Sequence, residues 1–331
     1  MWYGVVTAEH AYLRSEPENE KKENKSGIED EILSGWAVKV LEDDAASCKE
    51  NDAESYVKVE THYGYQGYVK RGELRAVTEE ELNSRQDPEK FFRIGIAEAD
   101  LLDQPKVQGL PLELLVKNSV VELLEREVTE GWSLVRTAAG REGYIHTQNL
   151  RKREDTDGYL SAKTEEERSV YFQDWKAQIL RGKSKNENAE EWYLGFGASE
   201  AEAEEILRER LAKSAEEFLG TQYRWGGKSS QGIDCSGLMF MSYLAQGILI
   251  YRDAQIVEGY PVKKIEKEQL KKGDLIFFPG HVAMYLGEGK YIHSTGFFKT
   301  PYVTVNSLRE EDPDYRADLA EKITEYGSIF V

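Results

Sequence analysis

The chain has 331 residues and a formal net charge of −18 at neutral pH. At that length a single ordinary core is not expected, whereas two or three domains are. An acidic excess of this size argues against nucleic acid, anionic membranes and anionic wall polymers as partners, because all of them repel such a surface, although solubility alone also accounts for it.

The two cysteines, Cys48 and Cys235, lie far apart and offer neither a disulfide framework nor metal-ligand spacing. No metal and no cofactor is expected. The first residues, MWYGVVTAEHAYLRSEP, lack a basic and then apolar leader, and no later stretch reaches the length of a membrane span. With Met1 as the natural start the expectation is a cytoplasmic protein; with an export signal removed it is a secreted or wall-associated one.

Residues 1–78 read as short strands divided by Gly, Pro and Asp, among them YGVVTA, GWAVKVLE and SYVKVET, which suits a small β-barrel or sandwich. The stretch from Glu16 to Asp30 reads as an exposed polar excursion. Residues 89–151 repeat the pattern. Tyr56 aligns with Trp132, Val59 with Val135, Gly64 with Gly140, Gly67 with Gly143, Tyr68 with Tyr144 and Leu74 with Leu150, all at one spacing. An internal duplication follows. Both copies resemble bacterial SH3-like domains through the G-x-x-G-[YW]-[VI] turn and strand near their ends. His10, His62 and His146 fall within these repeats and are read as surface residues.

Thr78 to Pro88 reads as a short acidic linker. Residues 152–200 read as a helical linker in which Trp175, Ile179, Trp192, Tyr193 and Phe196 serve packing. Residues 201–331 form the last domain. Apolar positions from Ala201 to Leu219 recur at helical spacing, with Gly220 as a stop. A second, apolar helix follows Cys235, and then come the strand-like runs DLIFF, HVAMYLG, YIHST and YVTVN, with Pro279 and Gly280 as a hairpin turn. Two helices followed by an antiparallel sheet indicate an α+β domain.

The stretch YRWGGKSSQGIDCSG sets Cys235 at the first turn of its helix, where unpaired N–H groups and the helix dipole favour a thiolate. A free cysteine is more often a small core residue. Two histidines outweigh that reading here. His281 opens a strand directly after the hairpin turn and suits a general base; His293, in the next strand, can share its face and fix its tautomer. Asp234, beside the thiol, would raise its pKa unless paired or turned away, and it also suits a helix N-cap.

The segments GTQYRWGG, DCSGLM, GDLIFF, GHVAMYLG and YIHSTG, in this order, resemble the NlpC/P60 peptidases, papain-like cysteine enzymes that hydrolyse peptidoglycan stem peptides. The resemblance covers residues 201–331. With two SH3-like barrels ahead of it, this α+β papain-like domain is similar to a subgroup that cleaves after γ-D-glutamate in muropeptides bearing a free N-terminal L-alanine, in cell-wall recycling. It implies Cys235 as nucleophile, His281 as base, His293 as orienting residue, and Tyr223 with the Cys235 N–H for the oxyanion. It also implies that Asp234, with Ser236 nearby, binds the substrate ammonium, that Arg252 and Asp253 face the D-glutamate carboxylate, and that Trp225 walls the site. An Arg252–Asp253 surface pair and a plain core Trp225 remain alternatives. Tyr65, replaced by Arg141 in the second copy, is the candidate tyrosine of the first repeat. The family often has Glu where Trp36 stands, so Glu29, Asp30 or Glu31 would have to supply the acid. An amidase acting at the sugar–peptide junction and a non-catalytic wall-fragment binder are the alternative functions. The diamino acid accepted and the oligomeric state are left open.

Overall fold

The computed structural model describes residues 1–17, 27–42, 53–153, 157–180 and 199–331. The chain divides into two compact units, Met1–Ala162 with Lys228–Ser230, and Lys163–Gly227 with Gln231–Val331. Cys48, Trp192, Tyr193 and Phe196 lie outside the described residues. No helix among the described residues is long and apolar enough to cross a membrane.

The first unit is built of two antiparallel sheets. One holds β1 (Trp2–Val6), β2 (His10–Arg14), β3 (Ile28–Leu33), β4 (Ala37–Glu42), β5 (Tyr56–Thr61), β6 (Gln66–Lys70) and β7 (Leu74–Val77). The other holds β8 (Phe91–Ile94), β9 (Glu98–Leu102), β10 (Pro111–Val116), β11 (Val120–Thr129), β12 (Trp132–Arg136), β13 (Glu142–His146) and β14 (Leu150–Lys152). Their strand orders, β3-β2-β6-β5-β4-β1-β7 and β10-β9-β13-β12-β11-β8-β14, are the same order. The duplication read from aligned residues is therefore a duplication of topology.

Two pairs of glycines show why those positions repeat. Gly64 and Gly140 turn the β5–β6 and β12–β13 hairpins with φ of 80° in each copy, a conformation that side chains disfavour. Gly67 and Gly143 lie against a neighbouring strand. A Cβ on Gly67 would meet Arg14 O at 2.6 Å and Leu13 Cγ at 2.7 Å, and one on Gly143 would meet Leu102 O and Leu101 Cγ, each at 2.7 Å. Val59 pairs with Gly67 and Val135 with Gly143, so the register repeats as well.

The turn Ser34–Trp36 joins the copies. Gly35 has a φ of +79°, and a Cβ there would lie 2.1 Å from Val120 O. Trp36 is buried and its Nε1 donates to Asn118 O at 2.9 Å. The Trp that departs from the family pattern is thus a packing residue. Nearby, buried Asp157 accepts from Arg85 Nε at 2.9 Å and from Arg153 Nη2 at 2.8 Å, while Arg85 also donates to Gly35 O. Burial raises the Asp157 carboxyl, but the two guanidinium groups outweigh it and hold the group below its ordinary range.

Several local expectations change. The acidic linker contains a helix, Glu79–Ser84, capped by the Thr78 side chain on Glu81 N, because Leu82 has a core to enter. Asp30 is not part of an exposed excursion but is buried in β3. His62 is not a surface residue: it is buried and meets Trp36 edge-on at 4.9 Å and Tyr63 at 5.0 Å. Tyr65 is half-buried in the β5–β6 turn, its N–H on Thr61 Oγ1 at 3.0 Å. Two residues earlier in the same turn, Tyr63 is buried and its hydroxyl donates to Asp30. Lys228 Nζ donates to Asp30 Oδ2 at 2.8 Å and to Tyr63 Oη at 2.6 Å, and sits over the Trp36 and Tyr63 rings. The Lys228 N–H donates to Glu31 Oε2 at 2.6 Å. The short strand β15 is Lys228–Ser229.

The second unit has helices Glu165–Val170 and Trp175–Leu180, then α1 (Glu200–Glu216) and α2 (Cys235–Leu244). After β16 (Gly232–Ile233) come β17 (Lys263–Ile265), β18 (Leu275–Phe278), β19 (His281–Gly287), β20 (Lys290–Ser294), β21 (Val303–Ser307) and β22 (Glu325–Ser328). The last six pair antiparallel in the order β17-β22-β18-β19-β20-β21. Helix α1 starts at the Ser199 cap and buries Ala203, Leu207, Leu211 and Ala215 at helical spacing. Its Arg208 donates to Asp274 Oδ1 at 2.8 Å, just ahead of β18. Helix α2 is buried on every side, and Tyr243 Oη donates to Gly273 O at 2.6 Å. Trp175 packs edge-on against Phe330 at 5.5 Å, as a packing residue should.

Replacing Asp157 by Ala leaves Arg85 and Arg153 buried without their carboxylate and should lower unfolding stability by about 3–5 kcal/mol. Urea unfolding of the full chain checks this; a loss below about 1 kcal/mol would contradict it.

Candidate active site

Cys235 stands at the first position of α2 because Asp234 caps that helix. The Asp234 Oδ1 accepts from Gly237 N at 2.5 Å, and Oδ2 accepts from Gly226 N at 2.9 Å. Arg252, also buried, donates to Oδ1 at 3.2 Å, to Oδ2 at 3.1 Å and to Ser236 Oγ at 2.8 Å. Ser236 Oγ itself reaches Asp234 Oδ1 at 3.3 Å. Asp234 is thus both an N-cap and half of a buried ion pair, which offsets the cost of burying a carboxylate beside the thiol. Arg252 does not form an exposed surface pair; its guanidinium lies inside, on Asp234.

The thiol is buried and is pushed up to about 12, by burial first and by Asp234 second. Backbone N–H groups of Val282 and Ser236 and the Arg252 charge act in the opposite direction. The resting group is therefore a thiol, and the thiolate expected from the helix terminus alone is not its resting form. The hydrogen bond from Val282 also locates the sulfur at the start of β19, next to His281.

The hairpin Pro279–Gly280 joins Phe278 to His281 directly, with Gly280 at φ +67°. Met284 pairs with Ile292, so one step further His293 faces Ala283 and His281 is its diagonal neighbour on the same face. Their rings meet, His281 Nε2 to His293 Nδ1 at 2.8 Å. The pair expected from sequence is brought together. Across the next strand Tyr291 pairs with Asn306, which makes Asn306 the diagonal neighbour of His293. The Asn306 Oδ1 lies 2.9 Å from His293 Nε2, and its Nδ2 donates to Asp314 O at 2.8 Å. Asn306 was not singled out in the sequence; its place at the polar end of YVTVN shows only once the register is known.

Burial, the His293 charge and Arg316 lower His281 to about 3. Burial and Arg316 lower His293 to about 4, against the hydrogen bond to Asn306. Both imidazoles are neutral at neutral pH. Tyr223 is raised, by burial and then by Cys235 and Asp234, so it remains a protonated phenol and a hydrogen-bond donor. Its ring packs against Gly296. The Cys235 N–H, at a helix N-terminus, has no intrahelical acceptor. Trp225 is 61% exposed, which rules out a core role. Asp253 lines a small cavity with Ser236, Tyr251 and Val282, beside the nucleophile.

A sequence model described as the NlpC/P60 family matches residues 220–317. Dipeptidyl-peptidase 6 of Lysinibacillus sphaericus is 35% identical, over 98% of this chain and 99% of that protein. A gamma-D-glutamyl-L-lysine dipeptidyl-peptidase of Bacillus cereus is 45% identical over 94 residues, 25% of this chain and 27% of that one. The crystal structure of an NlpC/P60 family protein from Bacillus cereus superposes with a TM-score of 0.65 and 20% identity, over 98% of both chains, a likeness of fold. Because the similarity to the Lysinibacillus enzyme runs the length of both chains and the family match spans Cys235, His281 and His293, this chain belongs to the NlpC/P60 family of cysteine peptidases.

Proposed function

We propose that this peptidase hydrolyses the γ-D-glutamyl–L-diamino acid bond of peptidoglycan stem peptides that carry a free N-terminal L-alanine, as a step of muropeptide recycling. The observation that carries the reading is the Cys235, His281 and His293 set on α2, β19 and β20, in a chain 35% identical along its length to a dipeptidyl-peptidase. The name of the Bacillus cereus relative, a γ-D-glutamyl-L-lysine dipeptidyl-peptidase, supports the choice of bond. In the same reading the two β repeats are SH3-like modules.

In the reaction, His281 takes the proton from the Cys235 thiol as sulfur attacks the γ-glutamyl carbonyl. The oxyanion forms against the Cys235 N–H and the Tyr223 hydroxyl, which stays a donor because its pKa is raised. His281 then hands its proton to the departing amine of the diamino acid, leaving a thioester on Cys235. Water, deprotonated by His281, releases L-Ala-γ-D-Glu. On the substrate side, Asp234 receives the alanine ammonium with its carboxylate held by Arg252 and Ser236. Arg252 lends positive potential to the D-glutamate side from behind Asp234, Asp253 lines the cavity beside Ser236, and the exposed Trp225 covers the peptide.

Incubation with L-Ala-γ-D-Glu-L-Lys and with its diaminopimelate counterpart should yield the dipeptide by mass spectrometry, and Cys235→Ala should reduce that rate by at least about 10³-fold. No cleavage by wild type, or equal cleavage by the variant, contradicts the proposal; release of free sugar with intact peptide from an N-acetylmuramoyl peptide would show an amidase instead.

The low pKa of the base sets the pH profile. His281 must be neutral to act, and its value is lowered from 6.5 to about 3. The acid limb of kcat/KM should then lie below about pH 5, since that profile reports the free enzyme. A limb centred at about 6.5 or higher would contradict an imidazole held in this environment.

A further inference from the structure

We infer that Asn306 is a positioning residue that sets the tautomer of the His281–His293 pair, so that Nδ1 of His281 is the bare nitrogen presented to the thiol. A chain of hydrogen bonds fixes where the protons sit. Asp314 O accepts from Asn306 Nδ2 at 2.8 Å, which fixes the amide with its oxygen toward His293. An amide oxygen only accepts, so His293 Nε2, 2.9 Å away, must carry its hydrogen. A neutral imidazole has one N–H, so His293 Nδ1 is an acceptor. The 2.8 Å contact to His281 is therefore donated by His281 Nε2. That leaves His281 Nδ1 without a hydrogen, as a base requires.

The opposite polarity is unproductive. With a hydrogen on His293 Nδ1, His281 Nε2 becomes the acceptor and Nδ1 carries the hydrogen, so the one ring nitrogen not engaged by His293 cannot take a proton. The rings alone allow both directions, and the Asn306 amide chooses between them.

The anchor for that amide is itself held. Asp314 O also accepts from Ser307 N at 3.2 Å, and Lys290 Nζ lies 2.8 Å from Asp314 Oδ1 and 2.7 Å from Asp312 Oδ2. Ser307 Oγ donates to Asp312 Oδ2 at 2.6 Å. The segment after β21 is thereby tied to β20 through Lys290 and to β21 through Asn306 and Ser307. The charged groups facing the pair are Arg316, near both rings, and Asp318, near His293.

The inference rests on His281 as the base of the proposed reaction, and its test separates the two. Ring nitrogen-15 NMR of the wild-type protein needs no substrate: a bare Nδ1 and protonated Nε2 on His281 are expected, and a protonated Nδ1 at neutral pH overturns the inference. Kinetics add the functional arm. Asn306→Ala should lower kcat about 10- to 100-fold with little change in KM. Asn306→Asp keeps an acceptor at His293 but loses the donor to Asp314; it should recover most of kcat and move the acid limb upward by about one pH unit, because a carboxylate favours the charged imidazole. Wild-type kcat in Asn306→Ala, or an equal loss in Asn306→Asp with no shift of the limb, overturns it, since a residue that only tied down the segment after β21 would behave in the latter way.

Discussion

The buried pair of Asp234 and Arg252 is the contact on which the catalytic unit depends. A carboxylate is needed at that place because it caps the helix that carries Cys235, taking the Gly237 N–H, and it fastens the loop before it by taking the Gly226 N–H. The same carboxylate unpaired would be costly to bury and would oppose a sulfur anion one residue away. Arg252 offsets the burial cost of the carboxylate with donors to both of its oxygens and to Ser236, while Asp234 still helps keep the resting sulfur protonated. A lysine would supply the charge without the planar fork that reaches both oxygens.

The sheet then supplies what the helix cannot. Strands β19, β20 and β21 each contribute one side chain to a diagonal row, His281, His293 and Asn306, and the antiparallel registers determine that the three share a face. The thiol and the imidazoles are neutral at rest, because burial penalises their charged forms. The nucleophile is consequently made by proton transfer when substrate arrives, which places a premium on the direction of the hydrogen bonds behind His281.

Much of this was legible in the sequence where a residue type has few substitutes. Glycines at 64, 67, 140 and 143 repeat because a turn and a close strand contact exclude a side chain, so the duplication could be read without coordinates. A cysteine opening an apolar helix and two histidines in successive strands were equally plain. The remainder depended on contacts distant in the chain. Strand β22 is short and polar, yet it inserts between β17 and β18. His62 reads as a surface residue, and Trp36 as a departure from the family pattern, until the seam between the repeats is built around them. Asn306 needed the β20–β21 register, and the partner of Arg252 needed the fold. The protonation state of Cys235 depends on burial, which the sequence does not display, whereas helix polarity is visible in it.

The central claim is that Cys235 carries the acyl group of the substrate. The most direct measurement is peptide mass mapping of enzyme quenched during turnover of L-Ala-γ-D-Glu-L-Lys. The account predicts a mass increase equal to L-Ala-γ-D-Glu less one water on the fragment containing Cys235, lost on standing as water completes the reaction. Product release with no adduct trapped on that fragment, and the same adduct found on another residue, would contradict it.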